Sequence, residues 1–317
     1  MSDALLRRLT GIAVVANLVG QIVIIVTGGA VRLTGSGLGC STWPECEPGS
    51  FTPVIHAATE FHVYVEYGNR LVGVTLGFIG IALAILMTLA TSRLGRSRSL
   101  RALAYGVIGV VVLQGLVGGV SVRMSLHPAV VGSHFLLSAA LLVLSTVLAV
   151  RWFEGDGDAH PVGSRTVRVL VWLVALLAVA VVVLGVIVTG SGPHSGDDEV
   201  GYRFAVDPYE VAKAHAVAVW TFVAALVALL VTVLRAKPPL PLVRRWVLIL
   251  LGVTLAQGAI GYVQFFTGLP EILVGAHMLG AALLIVTTTR LVLTLRIRAT
   301  ADQSTPASPP QAVATLS

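Results

Sequence analysis

Charge is scarce in this sequence: Asp, Glu, Lys and Arg make up 11% of its 317 residues, against about 25% in ordinary soluble domains. Hydrophobic residues fill 56%, so a water-soluble domain of this length is excluded and the chain belongs in lipid. Cysteine is nearly missing, with Cys40 and Cys46 alone. Two thiols without a neighbouring His-rich pattern make a poor zinc site. Blocks of cations are missing too. The net charge of +6 is spread through short loops, and with no soluble domain to carry a basic face a nucleic-acid partner is excluded.

What is present are apolar runs at about 10–31, 65–91, 101–122, 129–150, 167–189, 209–234, 243–266 and 271–294. Each can cross the roughly 30 Å hydrocarbon core as a helix, so the expected fold is all-α integral membrane with eight transmembrane helices. The first run lacks a following small-residue cleavage signal and reads as a retained helix, not a signal peptide. Of the 21 Lys and Arg, all but Arg32, Arg70, Arg123, Arg203 and Lys213 fall on the N-terminal side of the membrane. The positive-inside rule then puts both termini in the cytoplasm. The tail, 299–317, contains Pro and Ser with only Val313 and Leu316 as large apolar residues, and is expected to be disordered.

Histidine is distributed unevenly. Of the 8 His, only His160 falls in a cytoplasmic loop, while His56, His62, His127, His134, His194, His215 and His277 map to the external half. The outer helix ends are therefore the expected working surface. Cys40 and Cys46 lie in the first external loop, outside the reducing cytoplasm, where a disulfide is the expected state. It reads either as a staple for a long Gly/Pro-rich loop or as a redox element.

The two halves share a pattern. Gln114-Gly-Leu-Val-Gly-Gly is followed by His134 twenty positions on, and Gln257-Gly-Ala-Ile-Gly-Tyr by His277 at the same interval. Thr34-Gly-Ser-Gly and Thr189-Gly-Ser-Gly both end the first helix of a half. The expected organisation is thus two pseudo-symmetric four-helix bundles, residues 1–150 and 151–298, in a parallel repeat. His134, His215 and His277 all fall near outer helix ends. Two opposed imidazoles in a four-helix bundle can hold a heme iron from both axial sides, and the alternative is that each histidine hydrogen-bonds a neighbouring helix.

The first half departs from its twin. The counterpart of His215 lies near Asn69, in Glu66-Tyr-Gly-Asn-Arg70, and asparagine is not an effective heme ligand. His62, seven residues earlier and close to the same helical face, is the candidate replacement, although about 10 Å higher along the axis. The other candidate is a weakly held heme on His134 alone, which suits an exchangeable substrate. Glu66 reads two ways: as the i,i+4 partner of Arg70, or as a carboxylate handling protons or stabilising a developing cation beside a bound heme. Arg32 and Arg123 read as propionate partners or as ordinary interfacial snorkelling.

Taken together, GGAVRLTGSGLGCSTWPEC, EYGNR, QGLVGG with VGSH, KAH, and QGAIGY with VGAH resemble the heme A synthase family over most of residues 10–294. The combination is specific where single motifs are weak. The resemblance implies oxidation of the C8 methyl group of heme O to a formyl group, giving heme A for terminal oxidases, in a bacterial plasma membrane. It implies a b-type heme held by His215 and His277, substrate heme beside Glu66 with His134 as one ligand, and heme O synthase as a candidate partner. The paired cysteines are similar to those of bacterial members, for which redox and structural roles are both considered. Asn69 departs from the E-x-x-H-R pattern of many members, leaving His62 or an open position for the first heme. A non-catalytic heme carrier, a diheme electron-transfer protein and a small-molecule transporter are the competing classes. The few charged or broken positions near mid-membrane speak against the transporter.

Overall fold

A computed structural model describes residues 1–54, 61–194, 196–197 and 199–298. Its helices are α1 (Asp3–Leu33), α2 (Phe61–Arg93), α3 (Arg98–Arg123), α4 (Pro128–Glu154), α5 (Arg165–Ser191), α6 (Pro208–Leu234), α7 (Pro241–Phe266) and α8 (Glu271–Leu293). All 8 are long and apolar enough to cross a membrane, and they match the expected runs to within a few residues at most ends. The helix starts have local causes. Ser2, Ser164 and Asp207 accept backbone N–H bonds as N-caps, and Pro128, Pro208 and Pro241 occupy first-turn positions, where a missing N–H costs nothing. Helix α1 begins earlier than its apolar run because Ser2 caps it at Asp3.

Consecutive helices alternate in direction. Arg93 meets Asp3 at the N-terminal end, and Arg32 meets Thr189 at the opposite end. Helix α1 packs on α2, α2 on α3, α3 on α4 and α4 back on α1. Helices α5 to α8 make the same circuit, and the two sets meet where α4 and α1 contact α8 and α4 contacts α5. Buried side chains fall into matching groups. One, including Val14, Leu83, Met87, Leu100 and Leu148, lies among α1–α4, and another, including Val171, Phe222, Leu229 and Leu250, among α5–α8. Ile25, Leu142, Ala282 and Ile285 fill the seam. Met278 of α8 fits over Gly29 of α1, where a Cβ would fall 2.6 Å from its sulfur. Large apolar side chains such as Phe78, Trp172 and Leu176 face outward, as they do when the solvent is hydrocarbon.

One element was not foreshadowed. Strand β1 (Ala159–Pro161), between α4 and α5, pairs antiparallel with β2 (Arg296–Arg298) after α8. Three-residue strands are too short to show a period in sequence. The expectation for 299–317 lies outside the described residues, as does His56.

In the first set of helices, buried Asn17 donates to Ser145 Oγ at 2.9 Å and accepts from Gln21 at 3.3 Å, joining α1 to α4. Lipid offers neither donor nor acceptor as a substitute. Asn17→Ala is expected to cost about 0.5–2 kcal/mol, read as a lowered unfolding midpoint in detergent. An unchanged midpoint would show that packing alone holds this contact.

Candidate functional site

His134, His215 and His277 lie six, seven and six residues from the starts of α4, α6 and α8, so all three sit about 9–11 Å below the same end of the helices. Each ring rests against a glycine of the preceding helix. A Cβ added at Gly118, Gly185 or Gly261 would come within 3.5, 3.4 and 3.3 Å of the Cε1 of His134, His215 and His277 respectively. Any larger residue at those glycines would press on an imidazole. His215 and His277 lie within electrostatic range of one another, as expected for side chains of one bundle.

The twenty-residue interval has a physical cause. Gln257 Nε2 donates to the His277 backbone carbonyl at 2.9 Å, and Gln114 donates to Ser138 Oγ, which donates to the His134 carbonyl at 3.2 Å. Both glutamines therefore fix the register of one helix against the turn that carries the next helix's histidine. Gly280 makes room for Gln257, since a Cβ there would fall 2.0 Å from its Oε1. In sequence the interval was visible, but its hydrogen bonds were not.

Above His134 lies the cysteine loop. Cys40 and Cys46 form a disulfide and are wholly buried. Glu66, 5% exposed, accepts the Cys40 N–H on Oε2 at 2.7 Å and Arg70 on Oε1 at 2.6 and 3.1 Å. Arg70 also donates to the carbonyls of Thr42 and Glu45, each at 3.0 Å. The Glu66–Arg70 pair expected from their spacing is present, and it does more than neutralise charge: it clamps both sides of the disulfide ring to α2. Trp43 from the same ring lies flat on Gly119, where a Cβ would intrude to 2.4 Å. Arg123 Nη2 donates to the Trp43 carbonyl at 3.3 Å, and Arg32 Nη2 to the Thr189 carbonyl at 2.9 Å. Both arginines thus tie loops and helix ends together through backbone carbonyls.

His62 is on α2, one residue from its start, with Nδ1 2.9 Å from Ser36 Oγ. Asn69 accepts from Thr27 of α1 at 2.7 Å. The second external loop is held differently. Arg203 donates to the carbonyls of Gly192, Pro193, Val200 and Tyr202, Phe204 packs on Gly190, and His194 Nε2 lies 3.1 Å from the Leu269 carbonyl. Arg203 and Trp43 carried no signal beyond residue type and were missed in sequence. His127 caps α4 through the Ala129 N–H and packs its ring at a tilt against Tyr202, a structural duty.

His134, His215 and His277 are the side chains that could hold an iron porphyrin. Each Nδ1 is enclosed without a hydrogen bond of normal geometry, Val181 being the backbone neighbour of His215, whereas each Nε2 is neither hydrogen-bonded nor enclosed. A ring nitrogen left open in this way is the atom through which an imidazole can bind an iron. No cluster of three or more His, Cys, Asp or Glu suited to a bare metal ion occurs among the described residues.

The fold and these rings define a polytopic helical membrane protein with its histidines set into the membrane near one face. Residues 11–193 match the COX15-CtaA family model, described as cytochrome oxidase assembly protein. The chain belongs to this family. It is 31% identical over 189 residues to the heme A synthase of Alkalihalophilus pseudofirmus, covering 58% of this chain and 61% of that one. It is 30% identical over 186 residues to that of Symbiobacterium thermophilum, covering 56% and 58%. Against the heme A synthase of Methylobacterium radiotolerans it is 29% identical over 217 residues, covering 59% and 57%. The chain thus spans about three-fifths of the length of each of these relatives.

Removing Arg70 leaves Glu66 buried beside an unanchored loop. Arg70→Ala is expected to cost about 2–5 kcal/mol, measured by unfolding in detergent with the disulfide intact. Glu66→Gln, which keeps an acceptor for Cys40, should cost less. Equal, small effects for both would show that the clamp does not hold the loop.

Proposed function

We propose that this chain oxidises the C8 methyl group of heme O to a formyl group, producing heme A for terminal oxidases. The observation that carries this reading is the set of three glycine-seated imidazoles at one depth, with Nε2 unengaged. The names of the relatives support it. In this reading the protein sits in a bacterial plasma membrane with both termini in the cytoplasm, the orientation favoured by its cation distribution.

The two sets of helices divide the work as pseudo-symmetric bundles. His215 and His277 hold a b-type heme in residues 151–298, where that group would supply one-electron chemistry. Residues 1–150 receive heme O on His134. His62 would be the second residue to hold it, its ring oriented by Ser36 through Nδ1, the arrangement by which an outer hydrogen bond aims a histidine ligand. The alternative is an open position, because Asn69 is engaged with Thr27. Glu66, fixed by Arg70 and the Cys40 N–H, is the carboxylate that handles protons or stabilises a developing cation beside the bound heme. A heme carrier or diheme electron-transfer protein would need firm ligation in both halves. The contrast between His215 and Asn69 favours the enzyme. Heme O synthase, which makes the substrate, is the natural supplier.

Protein purified from cells supplied with heme O should contain heme B together with heme A or its hydroxylated intermediate, identified by pigment extraction. A colourless protein that shows no Soret band after heme is added overturns the proposal. Single His215→Ala and His277→Ala variants should lose the heme B spectrum, and His134→Ala should lose heme A formation while heme B stays. Gly261→Leu, by pressing on His277, should lower heme B occupancy without loss of helicity. His62→Ala separates the two ligand schemes: unchanged activity and substrate-heme spectrum would assign the open position.

A further inference from the structure

At the end opposite the histidines, four arginines converge where α4 meets α8. Arg290 Nη1 lies 3.6 Å from Glu154 Oε1, while Arg296 Nη2 and Arg298 Nε lie 4.0 and 3.9 Å from Glu154 Oε2. Arg151, one turn before Glu154 on α4, is within electrostatic range of Arg296 and Arg298. Strand β2 brings the last two in: pairing of Arg296 with Pro161 and Arg298 with Ala159 sets alternate residues of a strand on one face. Arg298 is further pinned by the Gly157 carbonyl at 2.8 Å, and Arg290 stacks over Trp246. This is a built site, held by two helices and a strand pair.

Its internal chemistry is unbalanced. Glu154 alone faces Arg290, Arg296 and Arg298, at separations longer than the 2.7–2.9 Å or so of a charge-assisted hydrogen bond, and Arg151, which donates Nη2 to Ser99 Oγ at 3.1 Å, shares Asp156 with Arg96. Arg151 Nε, Arg290 Nη1, Arg296 Nε and Arg298 Nε are all enclosed and make no hydrogen bond. Enclosed guanidinium N–H groups without acceptors are costly. Arg96 at the same end shows the ordinary arrangement. It pairs with Asp156 at 2.5 Å and donates to the Trp152 carbonyl at 2.9 Å.

We propose that Arg151, Arg290, Arg296 and Arg298 bind a phosphate group. A tetrahedral anion with several acceptor oxygens matches planar guanidinium forks and supplies the negative charge that Glu154 and the Arg96-paired Asp156 leave short. The group is the phosphodiester of an anionic phospholipid headgroup or free inorganic phosphate, and basic pockets between helices at a membrane surface commonly take the former. The site bridges the two sets of helices, so its occupant fastens the seam.

The test uses the full-length protein in neutral detergent, with thermal unfolding and native mass spectrometry as readouts. Phosphatidylglycerol should raise the midpoint and remain bound, while phosphatidylcholine should not. The Arg296→Gln/Arg298→Gln variant should weaken this binding roughly 30-fold. Arg244→Gln/Arg245→Gln, which removes two exposed cations from the same end, should leave it unchanged. Stabilisation by inorganic phosphate, lost in the same cluster variant, also supports the site and assigns the free anion as its ligand. Should the glutamine variant fail to fold, Arg296→Lys/Arg298→Lys keeps the charge without the fork, and weakened retention there supports the proposal equally. No response to either probe overturns it, as does equal weakening by the Arg244/Arg245 variant.

Discussion

The polar interior of this protein depends on one constraint: hydrocarbon offers no hydrogen bonds, so a polar side chain within the bundle finds its partner on its own helix, as Thr10 and Thr146 do, or on a neighbouring one, or is left to meet a ligand. Gln114 and Gln257 satisfy it by bonding to the turns that carry His134 and His277, directly or through Ser138. Glycines at the facing positions then let the rings lie close to the backbone. Ring depth is in this way set by helix register, and the register by side chains that never touch a ligand themselves.

The same constraint explains why the halves differ. In α6, His215 remains free of strong bonds, whereas at the corresponding height of α2 Asn69 is tied to Thr27, and Glu66 is tied to the cysteine ring. The first half thus spends its polar groups on holding an outer loop, and the second keeps two imidazoles available. This inequality is what the proposed division between a held cofactor and an exchanged substrate rests on.

Much of this was legible in sequence because lipid imposes long apolar runs and because the Gln-to-His interval repeats. Local spacing likewise exposed the Glu66–Arg70 pair. What escaped was non-local: the Cys40 N–H reaching Glu66 across 26 residues, Trp43 seating on Gly119, and β2 returning to β1 after the last helix. None of these leaves a periodic trace, since each depends on how a loop folds over a helix already in place. Arg32 and Arg123 show the reverse case. Their positions at helix ends invited a role toward a ligand, but each donates to a backbone carbonyl that position alone could not reveal.

Trp43 laid across α3, with its carbonyl fastened by Arg123, roofs the water-facing end of the first set of helices. In the proposed reading, a bulky apolar molecule bound for His134 would approach sideways, between helices, from the bilayer itself. Its arrival rate is governed by how strongly it partitions into lipid and how fast it diffuses in two dimensions, and hardly at all by its concentration in water.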